Sequence, residues 1–186
     1  MPQIWLTSDT HFGHELLSTI RGFDSVEQHD AAIVRTWNKQ IRAEDTVYHV
    51  GDVFLGQPTI DLSELNGTIH LITGNHDKVH PGHRVPDAER FTEYLRVFAT
   101  IQQFARIRYK GTEFIVSHYP YDGEGRDQQD RDTQWRLHDL GRPLIHGHTH
   151  STEKYSESLS GTPQLHVGWD AWRRPVRVHE VIELLA

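Results

Sequence analysis

The sequence predicts an α/β protein in which strands and helices alternate along the chain. Three observations support this prediction. Short apolar runs of strand length recur, segments with helical periodicity separate some of them, and polar residues rich in histidine follow five of these runs. The 186 residues are expected to form a single domain spanning positions 1–186, which is long enough to bury a core without disulfides.

The residue pattern predicts the elements in order. Between the first two strands, a helix is expected from Ser25 to Arg42, because Ser25 is an N-cap residue and apolar residues follow at helical spacing. A second helix is expected from Ala88 to Phe98. Strands are predicted at Ile4–Thr7, Thr46–Val50, Ile69–Thr73, Leu144–His146, Leu165–Val167 and Val176–Val178.

Two further segments complete the predicted element order. Ile101–Tyr109 and Glu113–Ser117 are expected to pair as a hairpin through Lys110 and Gly111. Residues 121–142 indicate a long loop with a short helix, which is either a lid or a solvated surface excursion.

Composition excludes several classes of site. The chain has no cysteine, so disulfides, thiolate nucleophiles and cysteine zinc sites are excluded, and any metal must be bound by imidazole, carboxylate or amide groups. The net charge of −7 argues against stable binding of duplex nucleic acid, although bound divalent cations would still permit an anionic substrate. Several of the 15 histidines, such as His29 and His179, are expected at the surface.

The sequence also predicts where in the cell the protein is located. No stretch reaches the roughly 20 apolar residues that a membrane span needs, so no membrane partner is expected. The first residues lack the basic and apolar pattern of a secretory signal. A cytoplasmic location is therefore predicted.

Polar clusters follow five apolar runs and carry the main functional signal. Ligands of open α/β sheets bind beyond the carboxyl ends of the strands, so these clusters are expected to converge. Turn formation explains aspartate, asparagine and glycine, but it does not explain histidine at four of the five strand ends. The clusters contain Asp9 and His11; Gly51 and Asp52; Gly74, Asn75, His76 and Asp77; His118; and His146, Gly147, His148 and His150.

Spacing within the clusters indicates metal binding. Asp9 and His11 are two residues apart, as are His148 and His150, and in an extended chain each pair would point to one side and bind one ion or two adjacent ions. Glycines in the clusters permit close backbone approach. The two oxygens of Asp52 could bridge two cations, which suggests a two-metal centre.

These motifs, in this order, resemble the calcineurin-like metallophosphoesterases, in particular small single-domain members from bacteria and phages. The resemblance implies a four-layer α/β/β/α sandwich with a dinuclear site at the strand ends. It also implies two divalent cations, with manganese as the first choice and iron, zinc, nickel, cobalt or magnesium as alternatives. The implied first site is Asp9, His11 and His150; the second is Asn75, His118 and His148; Asp52 bridges them; His76 is the proton donor and Asp77 orients it.

The activity implied by the resemblance is that of a metal-dependent phosphodiesterase acting on small nucleotide diesters, including 2′,3′- or 3′,5′-cyclic nucleotides, through hydroxide held between the cations. A phosphomonoesterase is the alternative within enzymes, and a non-catalytic metal-stabilised scaffold is the alternative outside them. The run Val53–Gly56 after Asp52 departs from protein phosphatases of the superfamily and argues against a phosphoprotein substrate. The chain also lacks room for the capping domain of the related DNA-repair nucleases. The expected partner is a small phosphoester, and no oligomeric state is predicted.

Several other histidines, aromatic residues and arginines lie close to the motifs in the sequence. His14 either lines the pocket or supports a ligand, or is solvent-facing or structural. His80 and His83 are expected to be solvent-facing or structural, and His146 is expected to be structural. Trp169 and Trp172 are expected to pack the C-terminal end. Residues that could meet a base or a phosphate are Tyr119, Tyr121, Arg126, Arg173 and Arg174.

Overall fold

The computed structural model describes residues 1–57, 59–83, 88–123 and 130–185. Within these ranges the strands form two five-stranded sheets, and α-helices lie between and after the strands along the chain. The strands are β1 (Ile4–Thr7), β2 (Thr46–His49), β3 (Thr68–Ile72), β4 (Thr100–Gln102), β5 (Phe104–Tyr109), β6 (Thr112–Ser117), β7 (Leu144–His146), β8 (Tyr155–Glu157), β9 (Pro163–His166) and β10 (Val176–Arg177). The helices are α1 (Glu15–Ile20), α2 (Val26–Gln40), α3 (Ala88–Tyr94), α4 (Trp169–Trp172) and α5 (Val178–Ile182).

Strand direction brings the carboxyl ends of the motif-bearing strands together. The first sheet has the order β10-β1-β2-β3-β4, with β1 to β4 parallel and β10 antiparallel at the edge. The second has the order β5-β6-β7-β9-β8, in which β6, β7 and β9 are parallel and both edge strands are antiparallel. Parallel strands end at the same edge, so each sheet presents its motif loops on one side. The α/β fold class with two sheets is confirmed.

The first sheet is buried on both faces, which fixes the order of the layers. Trp5 packs with Trp37 of α2 in one core, whereas its neighbour Leu6 packs with Val116 and Ile145 of the second sheet in another. Successive residues of a strand point to opposite faces, so one core lies between helices and sheet and the other lies between the sheets. Each such buried apolar side chain contributes about 1.5–3 kcal/mol to folding.

The predicted α2 forms with its expected start. The Ser25 side chain accepts a hydrogen bond from the Gln28 amide at 3.3 Å, and the backbone is extended at Ile41, where the helix has ended. The strand starting at Ile4 and the hairpin from β5 to β6 also form as predicted, with Lys110 at φ 46° and Gly111 at φ 88° in the turn.

One predicted strand is wrong as a single element. The segment Ile101–Tyr109 is divided, because β4 pairs with β3 in the first sheet and β5 pairs with β6 in the second. The chain crosses between the sheets at Gln103. Helices α1, α4 and α5 and strand β8 were not predicted, since elements of three to six residues carry too little periodicity.

The region predicted as a loop with a short helix contains a 3₁₀ turn at Thr133–Trp135 in its described part. Arg126, considered above as a substrate contact, lies outside the described residues. Within the described ranges, each helix is too short or too polar to span a bilayer.

Candidate metal centre

The structure gathers the predicted ligand side chains at the carboxyl ends of β1, β2, β3, β6 and β7. Six of the seven form two groups of three, and in each group the candidate ligand atoms all lie within 4.8 Å of one another. One group is Asp9, His11 and His150, and the other is Asp52, His118 and His148.

Asp52 belongs to the second group and also lies close to the first. Its Oδ2 atom is 3.6 Å from Nε2 of His11 in the first group and 3.5 Å from Nε2 of His118 in the second. Its Oδ1 atom accepts a hydrogen bond from the His76 amide at 2.9 Å, which fixes the rotation of the carboxylate. Asn75 joins the second group, since its Oδ1 atom is 3.3 Å from Nε2 of His118.

Two histidines are oriented so that a ring nitrogen is free to bind a cation. Nδ1 of His118 donates to the Val50 carbonyl at 2.7 Å, so in the neutral ring Nε2 carries the lone pair and faces the second group. Nδ1 of His150 donates to Asp170 at 2.8 Å, and its Nε2 lies 3.0 Å from Nε2 of His11. Two imidazole lone pairs at that separation need a proton or a cation between them. This donor set, oxygen and imidazole nitrogen, fits divalent cations.

The electrostatics of the buried groups also favour bound positive charge. Burial lowers the pKa of His11 well below its usual range, and burial followed by the neighbouring His118 lowers that of His148 to about 2, so both rings are neutral. Burial would lower the pKa of His118 too, yet the Asp52 carboxylate raises it to about 9. The Asp52 carboxylate, which keeps a proton on the fully buried His118 imidazole, creates an environment that stabilises cations.

The ligand loops adopt backbone conformations that non-glycine residues rarely adopt. Among the described residues, the non-glycine residues with positive φ are Asp9, His11, Asp52, Lys110, Asp132, His148, His150 and Arg173. Five of these eight are predicted ligands, although the left-handed region costs such residues about 1–2 kcal/mol. The expectation that the ligand pairs are extended is therefore wrong. Asp9 and His11 still join one group, whereas His148 and His150 are divided between the two.

The hydrogen-bond partners of Asp77 differ from the predicted one. Its carboxylate accepts hydrogen bonds from the amides of Gly74 at 2.8 Å, Asp52 at 2.9 Å and Val53 at 3.0 Å, and no hydrogen bond to the His76 ring is present among the described contacts. The expectation that Asp77 orients His76 is corrected: a fully buried carboxylate is satisfied by backbone amides and ties the loop after β2 to the loop after β3.

His76 lies over the gap between the groups and belongs to neither. Its Nε2 atom is 3.9 Å from Oδ2 of Asp52, and its ring contacts that of His11 edge-on with centroids 5.5 Å apart. The His76 side chain is 39% exposed, whereas Asp52 and His118 are almost fully buried. An imidazole at the mouth of the centre can reach a substrate that enters from solvent.

Sequence reasoning missed a buried network behind the first group. Asp170 of α4 accepts the His150 hydrogen bond and is held by Arg21, whose Nε and Nη2 atoms donate to it at 2.9 and 2.8 Å. Arg21 also donates to the Asp9 carbonyl at 2.6 Å and contacts His29, which is fully buried rather than at the surface as expected. The only signal in the sequence was an acidic residue following the strand that became β9.

The remaining residues considered in the sequence have mixed outcomes. His14 caps α1 by accepting from the Leu17 amide and lines the cleft over the centre. His80 is buried against Tyr119, and Tyr121 is also buried, with its hydroxyl donating to the Arg142 carbonyl, so neither tyrosine is placed for a base or phosphate. The structural role expected for buried His146 and for Trp169 agrees with their burial.

The sequence of the chain matches a known family over most of its length. The profile of the calcineurin-like phosphoesterase superfamily domain aligns with residues 3–168. The chain belongs to the calcineurin-like phosphoesterase superfamily. It is thus a metal-dependent phosphoesterase, a hydrolase that binds divalent metal, and the clusters described above supply suitable ligands.

Relatives of this metallophosphoesterase occur in phages and archaea. The gene 66 protein of Mycobacterium phage L5 is 40% identical over 200 residues, which cover 100% of this chain and 95% of that protein. Protein MJ1445 of Methanocaldococcus jannaschii is 32% identical over 158 residues, covering 81% of this chain and 71% of that protein. The crystal structure of AQ665 from Aquifex aeolicus has the same fold, with a TM-score of 0.70, 23% identity, and coverage of 99% of this chain and 100% of AQ665.

Proposed function

We propose that this metallophosphoesterase is a phosphodiesterase that uses two divalent cations to hydrolyse small nucleotide diesters, with 2′,3′- and 3′,5′-cyclic nucleotides as the first candidates. The proposed ligands of the first cation are Asp9, His11 and His150. Those of the second are Asn75, His118 and His148, with Asp52 shared and His76 as proton donor. Manganese is the first metal to test.

The position of Asp52 is the observation that carries the proposal. One oxygen atom of this carboxylate faces imidazole nitrogens of both groups at 3.5–3.6 Å, so a single side chain can contact cations in both positions. A single group of three ligands would bind only one ion. Two groups that share a carboxylate favour a dinuclear centre.

The shape of the cleft over the centre supports a diester. It has a volume of about 530 Å³ and is bordered by the proposed ligands, by His76 and by apolar residues including Leu17, Ile20 and Leu55. A phosphodiester carries two organic substituents, and an open cleft with an apolar wall can accept both. A monoester needs room for only one.

The bound cations and His76 have separate proposed roles in hydrolysis. Two bound cations would neutralise the phosphate and lower the pKa of a coordinated water. The oxygen of that water would bond to phosphorus as the P–O bond to the leaving group breaks, and His76, exposed at the mouth, would donate a proton from its ring to the departing oxygen. The His76 amide holds Oδ1 of Asp52, so the same residue also keeps the shared carboxylate in place.

The test is hydrolysis of bis-p-nitrophenyl phosphate by protein loaded with Mn²⁺, together with elemental analysis. We expect about two metal ions per chain and activity that EDTA abolishes. A panel of cyclic nucleotides, linear dinucleotides and monoesters then ranks the substrates. Faster hydrolysis of every monoester would favour a phosphomonoesterase. Full metal occupancy without hydrolysis of any ester would favour a non-catalytic scaffold.

A further inference from the structure

Arg173 occupies an unusual position beside the metal centre. It ends α4, three residues after Asp170, and its side chain borders the same cleft as His76 and His150. The helix begins where the Trp169 amide donates to the Ser8 carbonyl at 2.9 Å, next to Asp9. This connection anchors α4 to the ligand loops and so sets Arg173 at the edge of the cleft.

The backbone of Arg173 is in the left-handed region, with φ 54° and ψ 18°. Its amide donates to the Trp169 carbonyl at 2.7 Å, as is usual for the residue that ends a helix in this conformation. Glycine and asparagine adopt the left-handed region most easily, and arginine gains nothing there from its backbone. The strained residues of the described chain are otherwise mostly the proposed ligands, which suggests a functional reason for this one.

Among the described residues, the charge of Arg173 has no counterpart. Within the described residues its exposed side chain makes no hydrogen bond or ion pair, whereas its neighbour Arg174 is paired with Glu180. The acidic residues that border the cleft are Asp52, which belongs to the centre, and Asp170, whose two oxygens are already bound by Arg21. Arg131 adds a second guanidinium to the same cleft, in a protein whose net charge is −7.

We propose that Arg173 binds a second phosphate of the substrate, one that is not cleaved, so that the preferred substrates are nucleotides with a phosphate in addition to the scissile diester. This inference rests on the proposed function, because it assigns the scissile phosphate to the metal centre. A guanidinium that has no partner among the described residues matches a phosphate by geometry and charge.

Paired substrates test the proposal. The 5′-p-nitrophenyl ester of thymidine 5′-phosphate and the same ester with an added 3′-phosphate are compared as the ratio of their kcat/KM values, using Mn²⁺-loaded protein. We expect the added phosphate to raise kcat/KM about tenfold, the size of one charge-assisted hydrogen bond at a partly exposed site. Arg173→Gly should bring the ratio close to one, while the control Arg174→Ala should retain it.

A binding measurement separates this proposal from the proposed function. Calorimetry compares thymidine 3′,5′-bisphosphate with thymidine 5′-phosphate, and the bisphosphate should bind about tenfold more tightly to the wild type and to Arg174→Ala, but not to Arg173→Gly. Glycine relieves the backbone strain, so the melting temperature should not fall, and Arg173→Asn serves as a second variant for the same conformation. Equal affinity in the wild type, or an advantage retained in both Arg173 variants, overturns the proposal. Loss of diester hydrolysis in the wild type with the binding difference intact overturns only the proposed function.

Discussion

Asp170 accepts a hydrogen bond from Nδ1 of His150 at 2.8 Å while both of its oxygens are held by Arg21. The contact fixes the His150 ring so that its Nε2 atom faces the group that contains Asp9. Because Arg21 also donates to the Asp9 carbonyl, one buried guanidinium positions a residue at each side of the proposed first cation. A carboxylate behind a ligating histidine raises its basicity as well as orienting it.

The first prediction concerns this contact. Asp170→Asn removes the charge that orients His150, so we expect the affinity for Mn²⁺ to fall about 10–100-fold, as is typical when such a partner is lost. Calorimetric titration of metal-free protein measures the effect. Asp24→Asn, at an exposed position, is the control. Unchanged Mn²⁺ affinity with a reduced melting temperature would show that Asp170 is only structural.

The second prediction separates the proton donor from the ligands. His76→Gln should reduce kcat for bis-p-nitrophenyl phosphate by about 10²–10⁴-fold, the range of general acid catalysis, and leave the metal content near two ions per chain. Asp52→Asn should reduce occupancy of both metal positions, because its carboxylate faces both groups. Kinetics and elemental analysis on the same samples check both. If metal and activity are lost in parallel in His76→Gln, the assignment of His76 is wrong.

The third prediction tests how closely the ligand loops approach. A Cβ atom on Gly147 would lie 2.6 Å from Oδ2 of Asp9 and would also meet the Ser8 side chain, so Gly147→Ala should displace Asp9 and weaken metal binding. Gly141→Ala is the matched control, since Gly141 has φ 79° and open space around it, and this change should cost about 1–2 kcal/mol of backbone strain without touching the centre. Equal Mn²⁺ affinity in the two variants would contradict the prediction.

The fourth prediction concerns how the free energy of unfolding depends on pH, at a site remote from the metal centre. Asp45 accepts hydrogen bonds from the amides of Gln3 at 2.7 Å and Arg42 at 3.0 Å and from the Trp5 indole at 3.0 Å. Burial alone would raise the pKa of Asp45, but these bonds hold it below its ordinary value. A lowered folded-state pKa gives stability that is present above the unfolded value, near 3.9, and is lost as the pH falls through the folded value.

Asp45→Asn should therefore reduce the free energy of unfolding at pH 7 by about 1–3 kcal/mol, and the difference from the wild type should shrink below about pH 4. Urea denaturation across this pH range measures it, with Asp24→Asn as the reference for an exposed carboxylate. A difference that grows in acid would refute the assignment.

Much of the site was predictable because its signals are local. Strands such as Ile4–Thr7 follow from a few consecutive residues, and the polar groups at their ends follow from the same short windows. The split of the segment Ile101–Tyr109 was not predictable, since a continuous β pattern does not say which neighbouring strand each half will pair with. The short helices were missed because four to six residues span less than two helical turns, too few to show a repeat.

The sequence by itself determined the chemistry available to this protein: oxygen and imidazole candidate ligands at strand ends, no thiol, and the motif order of its superfamily. Only the tertiary structure decided that Asp77 binds backbone amides and that Asp170 and Arg21 support the proposed centre. Residue types and spacings act within one loop, whereas these relationships join residues as distant in sequence as Arg21 and Asp170. Such residues meet because of the packing of the two sheets and the left-handed backbone turns, which no local pattern specifies.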